Sequence, residues 1–382
     1  MRRSDPPPVE VPDGYVDSLR GIADDHGITH VGVASAQVLQ RARDELFRRR
    51  RIGLHSGMQF TYRNPVRSTD PNTAVPGARS VFVGAMPYLL DDASVGDDDQ
   101  QQAALPARVA RYAWIDHYQT LREGLRAVAG QLRRDGWRAV AFADDNSMVD
   151  REIAYRAGIG WFGKNANLLV AGAGSFFVLG SVVTTAPLPE STQVVPDGCG
   201  TCRRCLDGCP TGAIIEPGVV DAGRCLSWLL QKPGVFDTRF REALGDRIYG
   251  CDDCQEVCPP TVRLGARSRR SSTEPQQAFV DVVHLLTDSD EEVMATCGEW
   301  YVTDRDPRWV RRNALVVLGN QADPTDPRVA TLLARYLAHH DPILRAHAVW
   351  AARRIGLDAL LPAEDPDPLV QGELTADTAP RP

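Results

Sequence analysis

The spacing of the cysteines constrains this chain more than any other feature. Four of them, Cys199, Cys202, Cys205 and Cys209, follow the pattern C-x2-C-x2-C-x3-C, and Pro210 comes next. In small bacterial proteins with two iron-sulfur clusters, the first three cysteines of this pattern bind one 4Fe-4S cluster and the fourth binds the other. The pattern therefore predicts a second set of cysteines elsewhere in the chain.

A second set is present in the stretch YGCDDCQEVCPP. It contains Cys251, Cys254 and Cys258, with Pro259 behind the last, and it lacks only a first cysteine, for which Cys225 is the obvious replacement. The spacing then predicts two 4Fe-4S clusters with crossed ligands. The first cluster is assigned to Cys199, Cys202, Cys205 and Cys258, and the second to Cys209, Cys225, Cys251 and Cys254.

Zinc is the alternative metal for these cysteines, because paired C-x2-C units also form tetrahedral zinc sites. A zinc ribbon needs two pairs, whereas this chain has a triplet, a staggered fourth cysteine and a proline after each distal cysteine. Disulfides are a weaker interpretation, since nine cysteines cannot all pair and Cys297 is left over. We therefore expect iron-sulfur clusters in a reducing, cytoplasmic compartment.

A membrane anchor is not expected. The N-terminus has two arginines but no apolar run behind them, so it does not resemble a secretory signal. The uncharged run over 165–189 is long, but Gly172 and Gly174 interrupt it between two segments rich in β-branched and aromatic residues. That pattern favours a buried β-hairpin over a membrane helix.

Four regions follow one another along the chain. Residues 1–190 alternate helical and strand patterns, which predicts an α/β domain, and residues 191–262 form the cysteine-rich domain. Residues 277–361 have helical periodicity, and residues 362–382 have the composition of a disordered tail.

Two of the helical segments resemble each other. The stretches 306–320 and 341–356 both begin with Asp-Pro and place apolar residues at helical spacing, with a period of 34 residues. This predicts a short array of HEAT-like helical repeats. An ordinary helical cap without repeat function is the alternative.

The stretch GIGWFG, at 158–163, matches the glycine fingerprint G-x-G-x-x-G. Nucleotide binding needs a strand before this motif and a helix behind it, whereas here a helical segment precedes it and a strand-like segment follows. The glycines therefore indicate either a close approach of backbone to a large cofactor or a tight turn.

Four stretches together resemble the epoxyqueuosine reductases, in order and over nearly the whole chain: RAGIGWFGKN, CGTCRRCLDGCPTGAI, RIYGCDDCQEVCP and RNALVVLGN. The resemblance implies an α/β cobalamin-binding domain, a ferredoxin-like module with two 4Fe-4S clusters and C-terminal HEAT-like repeats. It also implies a cytoplasmic enzyme that reduces epoxyqueuosine to queuosine at the wobble position of tRNA. Electrons would come from an external low-potential donor and pass through the clusters to cobalamin, in a protein expected to be monomeric.

The resemblance also implies roles for single residues. The family's proton donor corresponds to Asp144 in FADDNSMVDRE, with Asp145 as the alternative. A positioned carboxylic acid with a raised pKa can protonate the alkoxide that epoxide opening leaves. The residues expected at cobalamin are Arg67, Asp144, Lys164, Asn165 and, with less support, Ser227.

Arginines provide the expected tRNA contacts, although the net charge is −7. One group follows the last cysteines and another lies in the first repeat, where each could bind phosphates or be a solvated face. The first group is Arg263, Arg267, Arg269 and Arg270, and the second is Arg305, Arg308, Arg311 and Arg312.

Two other functions compete with the tRNA reductase. One is a cobalamin and iron-sulfur reductase of a small molecule, and the other is a ferredoxin-like electron carrier whose α/β domain only docks a partner. The helical repeats favour the tRNA reductase, and cobalamin binding would exclude a pure carrier.

Overall fold

The computed structural model describes residues 10–60, 62–90, 103–265, 269–270 and 274–376, with 264 and 265 described by backbone alone. The chain forms two compact units, and each combines segments that are distant in sequence. The first comprises Met1–Asp91, Asp116–Gly223 and Asp253–Thr273, and the second comprises Asp92–Ile115, Arg224–Asp252 and Glu274–Pro382. The predicted cysteine-rich domain at 191–262 contributes residues to both units, because residues 224–252 belong to the second.

Short strands and helices alternate through most of the described chain. The helices are α1 (Tyr15–Asp24), α2 (Gln40–Arg51), α3 (Pro65–Ser68), α4 (Pro71–Ala74), α5 (His117–Arg134), α6 (Asp150–Arg156), α7 (Arg204–Asp207), α8 (Leu226–Leu229), α9 (Thr238–Leu244), α10 (Asp253–Glu256), α11 (Pro259–Gly265), α12 (Val282–Thr287), α13 (Asp290–Cys297), α14 (Arg308–Gln321), α15 (Pro327–Leu337), α16 (Pro342–Arg354) and α17 (Pro368–Thr375). The strands are β1 (His30–Ser35), β2 (Ser80–Pro87), β3 (Pro106–Val109), β4 (Ala139–Ala143), β5 (Gly160–Phe162), β6 (Leu168–Val170), β7 (Phe177–Thr184), β8 (Ile214–Glu216), β9 (Val219–Val220), β10 (Arg247–Tyr249) and β11 (Phe279–Asp281).

A four-stranded antiparallel sheet in the order β1-β2-β7-β4 is the core of the first unit. Strands β2 and β7 pair along eight residues each, from Ser80 opposite Thr184 to Pro87 opposite Phe177, and every one of these residues is buried. Helix α5 packs against β4 and β7, and α6 packs against β1, β2 and β7. Because helices cover the central strands β2 and β7, the sequences of these strands are nearly continuous apolar runs. The mixed α/β content agrees with the sequence prediction.

The predicted hairpin over 165–189 is wrong in its pairing. Strand β6 pairs with β5, and β7 joins the large sheet instead. Gly174 has a φ of 86°, and a side-chain carbon there would lie 2.5 Å from Thr261 Cα. The glycine turn therefore serves close packing against α11. Within the described ranges, no helix combines the length and apolar character that a membrane span requires.

The second unit is mainly helical and contains a three-stranded sheet in the order β10-β3-β11. Its core includes the fully buried Leu315 and Val316 of α14 and Ala348 of α16. Helices α14 and α16, predicted from the repeated Asp-Pro segments, pack against each other. Asp341 begins α16 by accepting the N–H groups of Ile343 and Leu344, as an N-cap aspartate does.

The predicted disordered tail at 362–382 is wrong for residues 368–375, because these form α17. Val370 is 1% exposed, and Glu373 forms an ion pair of 2.7 Å with the fully buried Arg241. The polar composition concealed this helix because so few of its residues are buried. Residues 377–382 lie outside the described part of the chain.

Candidate functional site

Four thiols come together in the first unit. Burial raises the pKa of Cys205, and the neighbouring thiols of Cys258, Cys199 and Cys202 raise it further. Cys205 therefore lies near each of the other three thiols, since Coulomb interactions weaken with distance. These are the four cysteines that the spacing assigns to the first cluster.

Gly208 allows the two cysteine-bearing segments to approach each other. A side-chain carbon at Gly208 would lie 2.9 Å from the Arg204 carbonyl oxygen and 3.1 Å from Val257 Cγ2. Because real side chains essentially never approach so closely, only glycine fits without a shift. This contact places α7, with Cys205, beside the segment that carries Cys258.

The donor set fits an iron-sulfur cluster. All eight predicted ligands are partly exposed thiols outside disulfides. No group of three or more His, Cys, Asp or Glu side chains in the described residues surrounds a point that could hold a single metal ion. In a 4Fe-4S cluster each thiolate binds a different iron, so the ligands surround a cage and need not converge on one ion.

The second predicted cluster has two of its cysteines in the first unit. The Cys209 sulfur accepts the Ala213 N–H at 3.2 Å, and the Asn167 amide lies 3.9 Å from the Cys254 sulfur. Hydrogen bonds to cluster sulfurs tune reduction potential. Cys225 and Cys251 belong to the second unit, so this ligand set stays a prediction.

The turn between β5 and β6 holds the cysteine loops. Lys164 Nζ donates to the carbonyl oxygens of Gly200 at 2.6 Å and Cys202 at 2.9 Å. The Asn165 side-chain amide donates to the Cys254 carbonyl at 3.2 Å. Sequence analysis expected Lys164 and Asn165 at cobalamin, and that role stays a prediction; in the structure their side chains hydrogen-bond to the cysteine loops.

The glycine motif before this turn is explained by the chain's own packing. A side-chain carbon at Gly160 would lie 2.1 Å from the Leu169 carbonyl oxygen. Gly158 has a φ of 71°, and a side chain there would lie 2.4 Å from the Gln193 carbonyl oxygen. Both glycines are needed for close backbone contacts, so the tight-packing alternative accounts for them.

A buried polar network anchors α10 and α11, which flank Cys258. The Gln255 side-chain oxygen accepts the Tyr88 hydroxyl at 3.2 Å and the Ser175 hydroxyl at 2.9 Å. The Thr261 hydroxyl accepts the Ser175 N–H at 3.2 Å. Sequence analysis missed these residues, because polar residues near cysteines show no periodicity that predicts burial.

Asp144 lies on the turn that follows β4, with a φ of 52° in the left-handed region. The residue is reached by solvent, yet the protein around it desolvates the carboxyl and raises its pKa. Arg122 opposes this rise, while the carboxylates of Asp116 and Asp145 add to it. An accessible carboxyl with a raised pKa suits an acid that meets a substrate.

The two neighbouring aspartates differ from Asp144. Asp145 accepts the Ser147 N–H at 2.7 Å, which closes a local turn. Asp150 begins α6, and its buried Oδ1 has no hydrogen-bond partner among the described residues. Burial and then Asp144 hold the pKa of Asp150 well above its usual range. Sequence analysis did not select Asp150.

The other expected cobalamin contacts lie in different units. Arg67 is exposed on α3, and its backbone N–H donates to the Asn64 side chain at 3.1 Å. Ser227 is partly buried on α8 in the second unit.

The first arginine group is largely at the surface. Arg263 and Arg269 are exposed, and Arg267 lies outside the described residues. Arg270 is partly buried, with its guanidinium 3.1 Å from His117 Nδ1 and 3.7 Å from Met86 Sδ. Arg263 and Arg269 therefore retain the exposed charge that a phosphate contact needs.

The second arginine group is used within the helical unit. Arg312 is 1% exposed and donates to the Lys232 carbonyl at 2.6 Å and the Gly234 carbonyl at 2.8 Å. The prediction that Arg312 contacts tRNA is wrong, because the loop carbonyls enclose its guanidinium. The other three also bond within the unit: Arg305 to carbonyls of Met294, Gly298 and Trp300, Arg308 to Asp306 and Asp341, and Arg311 to Asp290 and the Asp288 carbonyl.

Family models and relatives agree with this site. Residues 198–261 match the model of the 4Fe-4S double cluster binding domain, and residues 68–145 match that of epoxyqueuosine reductase QueG, DUF1730. The epoxyqueuosine reductase of Pseudomonas aeruginosa is 33% identical over 341 residues, covering 86% of this chain and 91% of the relative. That of Escherichia coli K12 is 34% identical over 304 residues, covering 78% of each chain.

Solved structures share the fold. Epoxyqueuosine reductase from Streptococcus thermophilus gives a TM-score of 0.83 at 26% identity, covering 94% of this chain and 97% of that one. An epoxyqueuosine reductase with an epoxyqueuosine-modified tRNA-Tyr stem loop gives 0.79 at 28% identity, covering 94% and 96%. The Bacillus subtilis enzyme, with its catalytic aspartate loop swung out of the active site, gives 0.80 at 27% identity and the same coverage.

Proposed function

Because this chain belongs to the epoxyqueuosine reductase family, we propose that it reduces the epoxide of epoxyqueuosine in tRNA and leaves queuosine. Removing an epoxide oxygen as water consumes two electrons and two protons. The observation that carries the proposal is the presence, in one unit, of four neighbouring thiols and an accessible acid with a raised pKa.

The thiols carry the electrons. We assign Cys199, Cys202, Cys205 and Cys258 to one 4Fe-4S cluster and Cys209, Cys225, Cys251 and Cys254 to the other, as the spacing predicts. The family also uses cobalamin, which when bound supplies a low-potential metal centre for passing electrons to the epoxide. Our candidates for holding it are Arg67, Asp144, Lys164, Asn165 and Ser227. Lys164 and Asn165 also fix the cysteine loops, since their side chains donate to loop carbonyls.

Asp144 supplies a proton. Opening the epoxide leaves an alkoxide, and a carboxyl with a raised pKa keeps its proton for transfer to that oxygen. Asp145 is the weaker candidate because its carboxylate accepts the Ser147 N–H in a local turn. The swung-out catalytic aspartate loop of the Bacillus subtilis relative supports a donor on a turn like this one.

The substrate is a tRNA anticodon stem-loop, as in the relative solved with such a stem loop. An enzyme that acts on a base needs that base out of the stack, and an extrahelical wobble nucleotide satisfies this. Arg263 and Arg269 are our candidate phosphate contacts in the first unit because both are exposed. We place the reaction in the cytoplasm, where thiols stay reduced, and propose a monomer that receives electrons from an external donor.

The direct test is conversion of epoxyqueuosine-containing tRNA by anaerobically reconstituted protein holding iron, sulfide and cobalamin, with dithionite as reductant. Digestion of the tRNA and mass spectrometry of its nucleosides should show epoxyqueuosine replaced by queuosine. Protein without cobalamin is the control and should form none. A fully loaded protein that binds tRNA but forms no queuosine would contradict the proposal and favour a small-molecule reductase.

A further inference from the structure

The proposed reaction consumes two protons, and Asp144 accounts for only one of them. Its carboxyl protonates the alkoxide that epoxide opening leaves, so Asp144 is a carboxylate when the resulting hydroxyl group departs. That hydroxyl group leaves far more readily as water than as hydroxide, so the second step also needs an acid. Asp144 must therefore regain a proton between the two steps, either from solvent or from a second acid in the protein.

Asp150 is placed to be that second acid. The chain leaves β4 and reaches Asp144, turns where Asp145 accepts the Ser147 N–H, and begins α6 at Asp150. Ser147 and Met148 are buried, so this turn leads from the surface into the protein. Asp144 is exposed, whereas the Asp150 Oδ1 is buried. One short turn therefore carries an outer and an inner carboxyl.

The two carboxyls lie near each other. Among the charged groups that shift the pKa of Asp150, Asp144 has the largest effect, ahead of Arg151 and Asp145. Such an effect requires proximity, since Coulomb interactions weaken with distance. Asp144 is therefore the neighbouring group to which a proton from Asp150 can pass.

Asp150 has no partner that would hold it as a carboxylate. Its buried Oδ1 accepts no hydrogen bond within the described residues, and no side chain caps α6. Two arginines that act on this turn are bonded elsewhere: Arg151 donates to the Ala166 carbonyl, and Arg122 lies 3.2 Å from the Asp116 carboxylate. An unpaired buried charge is costly, so the carboxyl keeps its proton.

We propose that Asp150 holds the second proton of the reaction and passes it to Asp144. After Asp144 has protonated the alkoxide, its carboxylate takes the proton of the Asp150 carboxyl. Asp144 then protonates the departing hydroxyl group, which leaves as water, and Asp150 stays a carboxylate until solvent returns a proton through Asp144. Two protons reach the oxygen in this way, and the reductant supplies both electrons. The inference rests on the proposed function.

The order of the two transfers follows from burial. The protein raises the pKa of Asp144, and it holds the pKa of Asp150 well above its usual range, mainly by desolvation in both cases. Asp144 therefore gives up its proton first. Asp150 yields its proton only when the departing hydroxyl group consumes it, so the inner carboxyl stays protonated between turnovers.

The kinetic test uses the reconstituted full chain with dithionite and epoxyqueuosine-containing tRNA. Asp150→Asn should keep wild-type iron content and tRNA affinity but lower kcat by at least about ten-fold, because Asp144 must then regain its proton from solvent. Asp150→Glu keeps the acid and should be faster than Asp150→Asn. Asp17→Asn, which changes an exposed acid in the first turn of α1, is the matched control and should act like wild type.

Two further measurements separate a proton store from a structural role. Raising the acetate concentration at constant pH and ionic strength should increase kcat of Asp150→Asn, because acetic acid can protonate the exposed Asp144, and should leave wild type unchanged. Infrared difference spectra of wild type against Asp150→Asn should show the carbonyl band of a protonated carboxyl at neutral pH. This band does not depend on turnover.

Three results would overturn the proposal. The first is a wild-type kcat in Asp150→Asn, and the second is a lowered kcat that acetate does not raise, which would make the role of Asp150 structural. The third is the absence of the protonated carboxyl band. If wild type forms no queuosine with dithionite, the proposed function fails instead, and the infrared band still decides whether Asp150 stores a proton.

Discussion

The cysteine loops and the Asp144 turn belong to the same unit but are built in opposite ways. Lys164 bonds two loop carbonyls, and Gly208 locks one loop against Val257. Asp144 instead has a left-handed φ, and desolvation by the surrounding protein, with a smaller contribution from neighbouring carboxylates, raises its pKa. Electron transfer through a cluster is favoured when its ligands are held rigidly. A proton donor instead needs surroundings that shift its pKa toward the value its reaction requires.

The largest effect is expected from Cys258→Ala, in the cysteine loops. We expect turnover to fall to background and iron content to fall to about half, because the first cluster loses a ligand. Iron analysis and queuosine formation check this. Cys297→Ala is the matched control, since Cys297 is fully buried and assigned to neither cluster. If Cys258→Ala keeps all its iron, the crossed ligand assignment is wrong.

In the Asp144 turn, Asp144→Asn should lower kcat by about 10²–10⁴-fold, because the amide cannot donate the proton. Both cofactors and tRNA affinity should be retained. Asp145→Asn should stay near wild type, since an amide oxygen can still accept the Ser147 N–H. The opposite ranking of these two variants under saturating tRNA would assign the proton to Asp145.

The two regions should also differ in pH response. Because the folded protein raises the pKa of Asp144, the carboxyl keeps its proton above the usual aspartate range and loses it as pH rises through the raised value. We therefore expect kcat to fall on the alkaline side of that pKa, while iron content stays constant. A kcat profile for wild type that matches the residual profile of Asp144→Asn would remove Asp144 from the proton step.

A smaller effect is expected from Lys164→Met, which removes two charge-assisted hydrogen bonds from the cysteine loop. The loss should lower stability by about 1–3 kcal/mol and speed iron loss to a chelator by several-fold. Lys232→Met changes the other lysine, in the second unit, and should leave the rate of iron loss unchanged. Equal rates in wild type and Lys164→Met would show that the loop holds its cluster without this tie.

The smallest expected effect is a gain. Asp144→Gly relieves the left-handed backbone at a φ of 52° and should raise the free energy of unfolding by up to about 1 kcal/mol. The same variant should lose turnover because the acid is gone. Denaturant midpoints compared with those of Asp144→Asn isolate the backbone contribution. A less stable glycine variant would show that the turn is unstrained.

Local patterns in the sequence predicted part of this fold well. The alternation of helices and strands in the first unit, and helices α14 and α16, depend on periodicity within one segment, which is visible in sequence. The prediction of a β6–β7 hairpin was wrong because Leu168–Val170 pairs with the strand before it, and strand pairing is decided by tertiary contacts. Helix α17 was not predicted because its Glu373 pairs with Arg241, which lies 132 residues away in the sequence.

The candidate site divides in the same way. Cysteine spacing predicted the four thiols of the first set, which lie near Cys205, while the second set stays a prediction. Charge alone could not separate Arg269, which is exposed, from Arg312, which loop carbonyls enclose. The cobalamin role expected for Lys164 stays a prediction, and its hydrogen bonds to backbone atoms of Gly200 and Cys202 could not be foreseen because no residue pattern encodes them.

The contact between Gly208 and Val257 has a consequence for biosynthesis. It joins a segment that leaves the ribosome early to one that leaves it about fifty residues later. Until Cys258 emerges, the growing polypeptide offers the first cluster three thiols and no fourth. Cofactor insertion by the cell's assembly machinery is therefore expected to follow translation of this segment, and truncated translation products that stop before it should accumulate without that cluster.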